Sequence, residues 1–125
     1  MLFLKDQILI QNLRLRCLIG FSPHELNDKQ DVVISMTLYT DTRRAGETDS
    51  PDDLLNYRTI NKAVIQFVEN SSYKTVEALA NGIARLAVTE CGAEHIRVEV
   101  NKPGALRFAD NVGVIIERTR EDYMK

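Results

Sequence analysis

The sequence predicts an α+β fold with the element order β-β-α-α-β-β. Three observations carry this. Four segments show strand-like alternation of apolar residues: 8–19, 31–40, 95–102 and 112–119. Two segments between them, from residues 57 and 76, instead repeat their apolar residues at helical spacing. Stretches rich in Gly, Pro, Asn, Asp and Ser separate the segments.

In the first strand, Leu13, Leu15, Cys17 and Ile19 share one face, while Arg14, Arg16 and Leu18 share the other. "GFSPHELNDKQ" reads as a loop, marked by Gly20, Pro23, Asn27 and Asp28. The second strand, "DVVISMTLYT", puts Val32, Ile34, Met36 and Leu38 on one face, so a short antiparallel hairpin is expected. "DTRRAGETDSPDD" reads as a polar loop. The first helix opens at Tyr57 and repeats at Ile60, Val64, Phe67 and Val68; "NSSYKT" breaks it. The second carries Val76, Leu79, Ala80, Ile83, Leu86 and Ala87 and stops at Gly92. "HIRVEVNK" and "VGVIIERT" form the last two strands, and "EDYMK" reads as a charged tail. The expected product is an antiparallel four-stranded sheet with both helices on one face. Its two edges need covering or pairing, which closure of several copies into a ring would provide.

At 125 residues the chain suits a single domain, 1–125. Its hydrophobic fraction of 44% and charged fraction of 27% are those of an ordinary soluble globular protein. No apolar run is long enough to span a bilayer. "MLFLKDQILIQ" lacks a small-residue cleavage site and is not read as a signal peptide, so a cytoplasmic location is expected. A net charge of −2 without a basic run argues against nucleic acid as a partner. Cys17 and Cys91 stand far apart and read as free, packed thiols. His24 and His95 lie at no metal-ligand spacing, so no metal site and no cofactor are expected. GxSxG, P-loop and GxGxxG motifs are absent.

Single polar residues in unusual places remain. Lys102 ends a clean strand and is locked against Pro103, which restricts it to extended backbone. Glu77 opens the second helix, where the helix dipole favours an acid, yet Val76 and Ala78 flank it. Partial burial there would require a partner. Tyr57 opens the first helix, and Glu25 sits in the first hairpin loop. Taken singly, each has an ordinary structural explanation.

Taken together, "LIGFSPHELNDKQ", "DDLLNYRTI", "TVEALANGIA" and "VEVNKPGALRFADNVGVIIER" resemble the dihydroneopterin aldolase family, which includes dihydroneopterin triphosphate 2′-epimerase. The resemblance covers nearly the whole chain. It implies the tunnelling fold, with β-β-α-α-β-β units joined in a tetrameric ring and two rings stacked into an octamer. It assigns Glu25, Tyr57 and Lys102 to catalysis, with Tyr57 supplied by a neighbouring subunit. It assigns Glu77, Val76 and Leu55 to a pterin pocket. Arg58 and Arg107 are candidates for contact with a substrate phosphate. The chain departs from many aldolases at Ile19 and Asn56, where they carry histidine.

The chemistry implied is retro-aldol cleavage of the C1′–C2′ bond of a dihydropterin side chain. The ring's own C=N bond is the electron sink, which leaves proton transfer to the protein. Lys102 is expected to be the general acid/base, which as a base near neutral pH requires a lowered pKa. Epimerisation at C2′, of the free or the triphosphorylated substrate, shares the cleavage step and stays open. A non-catalytic pterin- or purine-binding domain is the reading from another class.

Overall fold

The structure is a computed structural model that describes residues 5–124; the first four residues of the N-terminal stretch lie outside it. The chain runs β1 (Asp6–Ile19), β2 (Gln30–Thr40), α1 (Arg43–Thr48), α2 (Tyr57–Glu69), β3 (Ser72–Tyr73), α3 (Val76–Cys91), β4 (His95–Pro103), β5 (Asn111–Thr119) and α4 (Arg120–Tyr123). Short 3-10 turns cover Pro23–Glu25 and Pro51–Asp53.

The expected hairpins form: β1 pairs antiparallel with β2, and β4 with both β2 and β5. The sheet nevertheless has five strands, in the order β3-β1-β2-β4-β5, and is mixed rather than purely antiparallel. The addition is β3, whose two residues run parallel to Leu18 and Ile19 of β1. "NSSYKT" is too short and polar to announce a strand. It pairs because the turn leaving α2 carries it past the free edge of β1, where Gly20 N–H donates to the Tyr73 carbonyl at 3.1 Å.

Two stretches read as irregular are also ordered. The polar loop after β2 holds α1 and a 3-10 turn, tied down by Arg44 and Thr48 donating to Asp53 at 2.8 and 2.6 Å. The charged tail forms α4, which starts where Thr119 N–H donates to Asp122 at 2.8 Å. These helices are too short to have a hydrophobic period, so local polar bonds define them.

Alternation places the core as expected. Cys17 and Ile19 of β1, the 32–38 series of β2 and Ile96, Val98 and Val100 of β4 are buried on one sheet face. Ile60, Val64 and Val68 of α2 and Leu79, Ala80, Ile83, Ala84, Ala87 and Val88 of α3 cover them. β1 keeps this phase through a bulge between Ile10 and Leu13, where Asn12 adopts φ 56. Both long helices are capped. Asn56 accepts from Thr59 N–H and Thr75 from Ala78 N–H, each at 3.1 Å, and Gly92 closes α3 at φ 78. Asn56 thus has a structural task of its own, as the N-cap of α2.

The strand directions define two ends of the subunit. One holds the close of β1, the start of β2, β3, the close of β4 and the start of α3. The other holds the start of β1, the close of β2 and the start of α2.

Leu79 is fully buried between α3 and the sheet. Leu79→Ala should cost about 2–5 kcal/mol in urea unfolding, and Thr75→Ala, which removes a cap, about 1 kcal/mol. Equal costs would contradict this assignment of the core.

Candidate active site

Lys102 and Glu25 meet at the first end. Lys102 lies in phase with Ile96, Val98 and Val100, so its side chain leaves β4 on the core side of the sheet. Its Nζ donates to Glu25 Oε2 at 2.6 Å. The two side chains are only 12% and 14% exposed, so water screens this pair far less than it screens a surface one.

Glu25 reaches that position through its loop. Gly20 turns the chain at φ +128, a conformation that disfavours any side chain. A Cβ there would also collide with the Glu25 carboxyl. Ser22 then donates twice to Glu25 Oε1, from its hydroxyl at 2.7 Å and its backbone N–H at 3.3 Å. Gln30 Nε2 donates to Glu25 Oε2 at 3.1 Å and to the Ile19 carbonyl at 2.6 Å, which ties the carboxylate to the end of β1. The Lys102 bond, then those from Ser22 and Gln30, hold the Glu25 carboxyl well below the usual carboxylate range.

Ser22 and Gln30 were not among the residues singled out from the sequence, although both carried a signal. "SPHE" is a Ser-x-x-Glu pattern with proline at the first turn position. Gln30 is a polar residue in phase with Val32 and Ile34 at the mouth of an otherwise apolar strand face.

The other predicted residues divide between the two ends. Val76 is half-buried against the core and Glu77 follows it at the first turn of α3, on the Lys102 end. Glu77 is exposed in the single chain, which corrects the expectation of partial burial: its side chain leaves α3 away from the Leu79, Ala80 and Ile83 face. Arg107 is also at this end, in the β4–β5 connection, with its guanidinium 5.2 Å from the ring centre of the exposed Phe108.

Leu55, Tyr57 and Arg58 belong to the opposite end. Leu55 packs on the core and lines a cavity of about 370 Å³ together with Lys5, Tyr39, Gly92 and Glu94. Tyr57 is 39% exposed, and Arg58 beside it is exposed. The 13 residues of α2 separate them from the Lys102 end by roughly 20 Å. One chain therefore does not bring all the predicted site residues together.

The comparisons with known proteins agree on one family. A family model described as dihydroneopterin aldolase matches residues 8–117. The chain is 39% identical over 120 residues to the folic acid synthesis protein FOL1 of Dictyostelium discoideum, covering 96% of this chain but only 18% of that protein. It is 37% identical over 113 residues to the dihydroneopterin triphosphate 2′-epimerase of Escherichia coli, covering 90% of this chain and 94% of that one. The crystal structure of E. coli dihydroneopterin aldolase in complex with neopterin superposes with a TM-score of 0.85 at 34% identity, covering 90% and 98% of the two chains.

A depressed carboxyl stabilises the fold fully above the ordinary glutamate value of about 4.3, and that stabilisation fades as acid protonates it. Unfolding between pH 7 and pH 3 should therefore show a steeper loss of stability for the wild type than for Glu25→Gln. Parallel curves would contradict the geometry of the Glu25 carboxylate.

Proposed function

Because the chain belongs to the dihydroneopterin aldolase family, we propose that it cleaves the C1′–C2′ bond of 7,8-dihydroneopterin, giving 6-hydroxymethyl-7,8-dihydropterin and glycolaldehyde. The observation that carries this reading is the largely buried Lys102–Glu25 pair, at the same end of the subunit as the start of α3 with Glu77. A pterin presents a ring N–H and an amino group side by side. A carboxylate accepts both in a paired, charge-assisted geometry, which is the task given to Glu77, with Val76 against the flat ring.

The reaction needs proton management and an electron sink. A base takes the 2′-hydroxyl proton, the C1′–C2′ bond breaks, and its electron pair flows into the ring C=N. Glycolaldehyde departs with C2′ and C3′, and an acid returns a proton to C1′. Lys102 is the general acid/base of this account, exchanging protons with the side chain directly or through a water. Glu25, fixed by Ser22 and Gln30, orients both Lys102 and the substrate hydroxyls. Tyr57 is the second proton donor, supplied with Leu55 by the neighbouring subunit of a ring, since the chain's own copies lie at its far end.

A second reading, 2′-epimerisation of dihydroneopterin triphosphate, is favoured by the 37% identity to an epimerase. The aldehyde then turns over and re-adds instead of leaving. Arg58 and Arg107 supply positive charge for the phosphates: both are exposed, and neither is paired with a carboxylate within 4 Å among the described residues. A chain that binds pterins tightly without turnover would be the non-catalytic alternative.

Separate incubations with dihydroneopterin and its triphosphate, resolved by chromatography, test the assignment. Glycolaldehyde release from the unphosphorylated substrate is expected, and epimer formed only from the triphosphate supports the second reading. Lys102→Ala should retain pterin binding while turnover falls about 10²–10⁴-fold. Turnover near wild type would remove Lys102 from the chemistry.

A further inference from the structure

The connection between β4 and β5 is built directly onto Lys102. Ala105 N–H donates to the Lys102 carbonyl at 3.4 Å, and Gly104 N–H to the Asp110 carbonyl at 3.2 Å. At the tip, Ala109 N–H donates to the Leu106 carbonyl at 3.3 Å, which closes a turn with Arg107 and Phe108 at its centre. Phe108 has φ 70, the positive φ that the third residue of a type II turn requires and that glycine ordinarily supplies. A side chain there is strained. The Phe108 ring is also 98% exposed, so packing against the fold does not offset the strain. Strain without a packing reward is the mark of a functional constraint.

The ring has a neighbour in Arg107, whose guanidinium lies 5.2 Å from the ring centre. A guanidinium held on an aromatic face keeps the N–H groups in its own plane free for an acceptor. Arg107 has no carboxylate within 4 Å among the described residues, so its charge is open to a ligand. Placement says which part of a ligand would meet it. β3, which leads into Glu77, stands three strands from β4, roughly 14 Å at ordinary strand spacing. Lys102 Nζ reaches back from β4 to Glu25 in the β1–β2 loop. A pterin anchored at Glu77 and reacting at Lys102 therefore runs across the strand ends from the β3 side toward β4. Whatever its side chain carries beyond C2′ continues toward the turn. In a triphosphate ester that is the phosphate group, carried on the two-carbon aldehyde that cleavage sets free.

We propose that Arg107, steadied by Phe108, holds the phosphate end of a phosphorylated substrate and so retains the cleaved aldehyde, making this turn the element that selects epimerisation over release. The proposal rests on the reading of the Lys102–Glu25 pair as the site of C1′–C2′ cleavage. When that bond breaks, its electron pair enters the ring and C2′ becomes an aldehyde carbon. Tethered by its phosphates, the aldehyde rotates and presents its other face. C1′ then attacks C2′ again, and the proton taken from the 2′-hydroxyl returns to the new 2′-oxygen. An unphosphorylated aldehyde has no tether and departs.

Dihydroneopterin and its triphosphate, supplied separately, test this by steady-state kinetics and by the chromatographic ratio of epimer to 6-hydroxymethyl-7,8-dihydropterin. Arg107→Ala should raise the KM for the triphosphate about ten- to a hundredfold, at least fivefold more than for dihydroneopterin. The triphosphate should then give at least threefold less epimer per cleavage product. Phe108→Gly relieves the turn and removes the ring; it should shift both readouts the same way, less far, without lowering the melting temperature. Phe108→Tyr keeps the ring and should keep the wild-type ratio. A wild-type KM and product ratio in Arg107→Ala overturn the proposal. So do equal KM losses on the two substrates, which mean a damaged loop, and a larger triphosphate effect in Arg58→Ala. Wild-type protein that converts dihydroneopterin but not the triphosphate overturns this proposal alone. Wild-type protein that converts neither overturns the cleavage reading and this proposal together.

Discussion

The Lys102–Glu25 bond is the constraint around which this end of the molecule is arranged. A lysine and a glutamate that are nearly dry require each other, because either one alone would be a poorly solvated charge. Position 20 carries no side chain because the Glu25 carboxyl occupies the space where one would stand. Gln30 spans from the end of β1 to that carboxylate, and Pro103 holds the backbone of the strand that delivers Lys102. Residues from three separate segments thus converge on one carboxylate, and the sheet register between β1, β2 and β4 sets how they meet.

The same register explains why the chain forms only half of the site proposed for it. Strand order and helix direction send Glu25, Glu77 and Lys102 to one end and Leu55, Tyr57 and Arg58 to the other. A fold built from an open sheet also leaves β5 as a long edge strand, with an exposed Ile115 on it. Pairing that edge with another copy would satisfy the sheet and deliver the second half of the site. In this account, oligomerisation and catalysis answer the same geometric problem.

Long periodic elements were legible in the sequence because burial imposes its period on them. The phase of Val32 to Leu38, of Ile96 to Val100 and of the two long helices returned in the structure. The short elements were not legible. β3 is two residues defined by a neighbour's edge, and α1 and α4 are held by a few local polar bonds that leave no periodic trace. The site was legible in part. Lys102 and Glu25 stood out as polar residues in unusual places and took their roles from the resemblance, while their supports Ser22 and Gln30 required the fold to show what they touch. Glu77 was misjudged because Val76 beside it packs on the core while Glu77 itself is exposed.

The central claim is that one chain's Lys102 works with another chain's Tyr57. Co-assembling Lys102→Ala subunits with Tyr57→Phe subunits tests it directly, since each variant alone should be severely impaired in converting dihydroneopterin to its wild-type product. Mixed assemblies would contain interfaces where an intact Lys102 faces an intact Tyr57. Activity regained on mixing, well above that of either parent, is the predicted result. Mixed oligomers no more active than their parents would contradict the account.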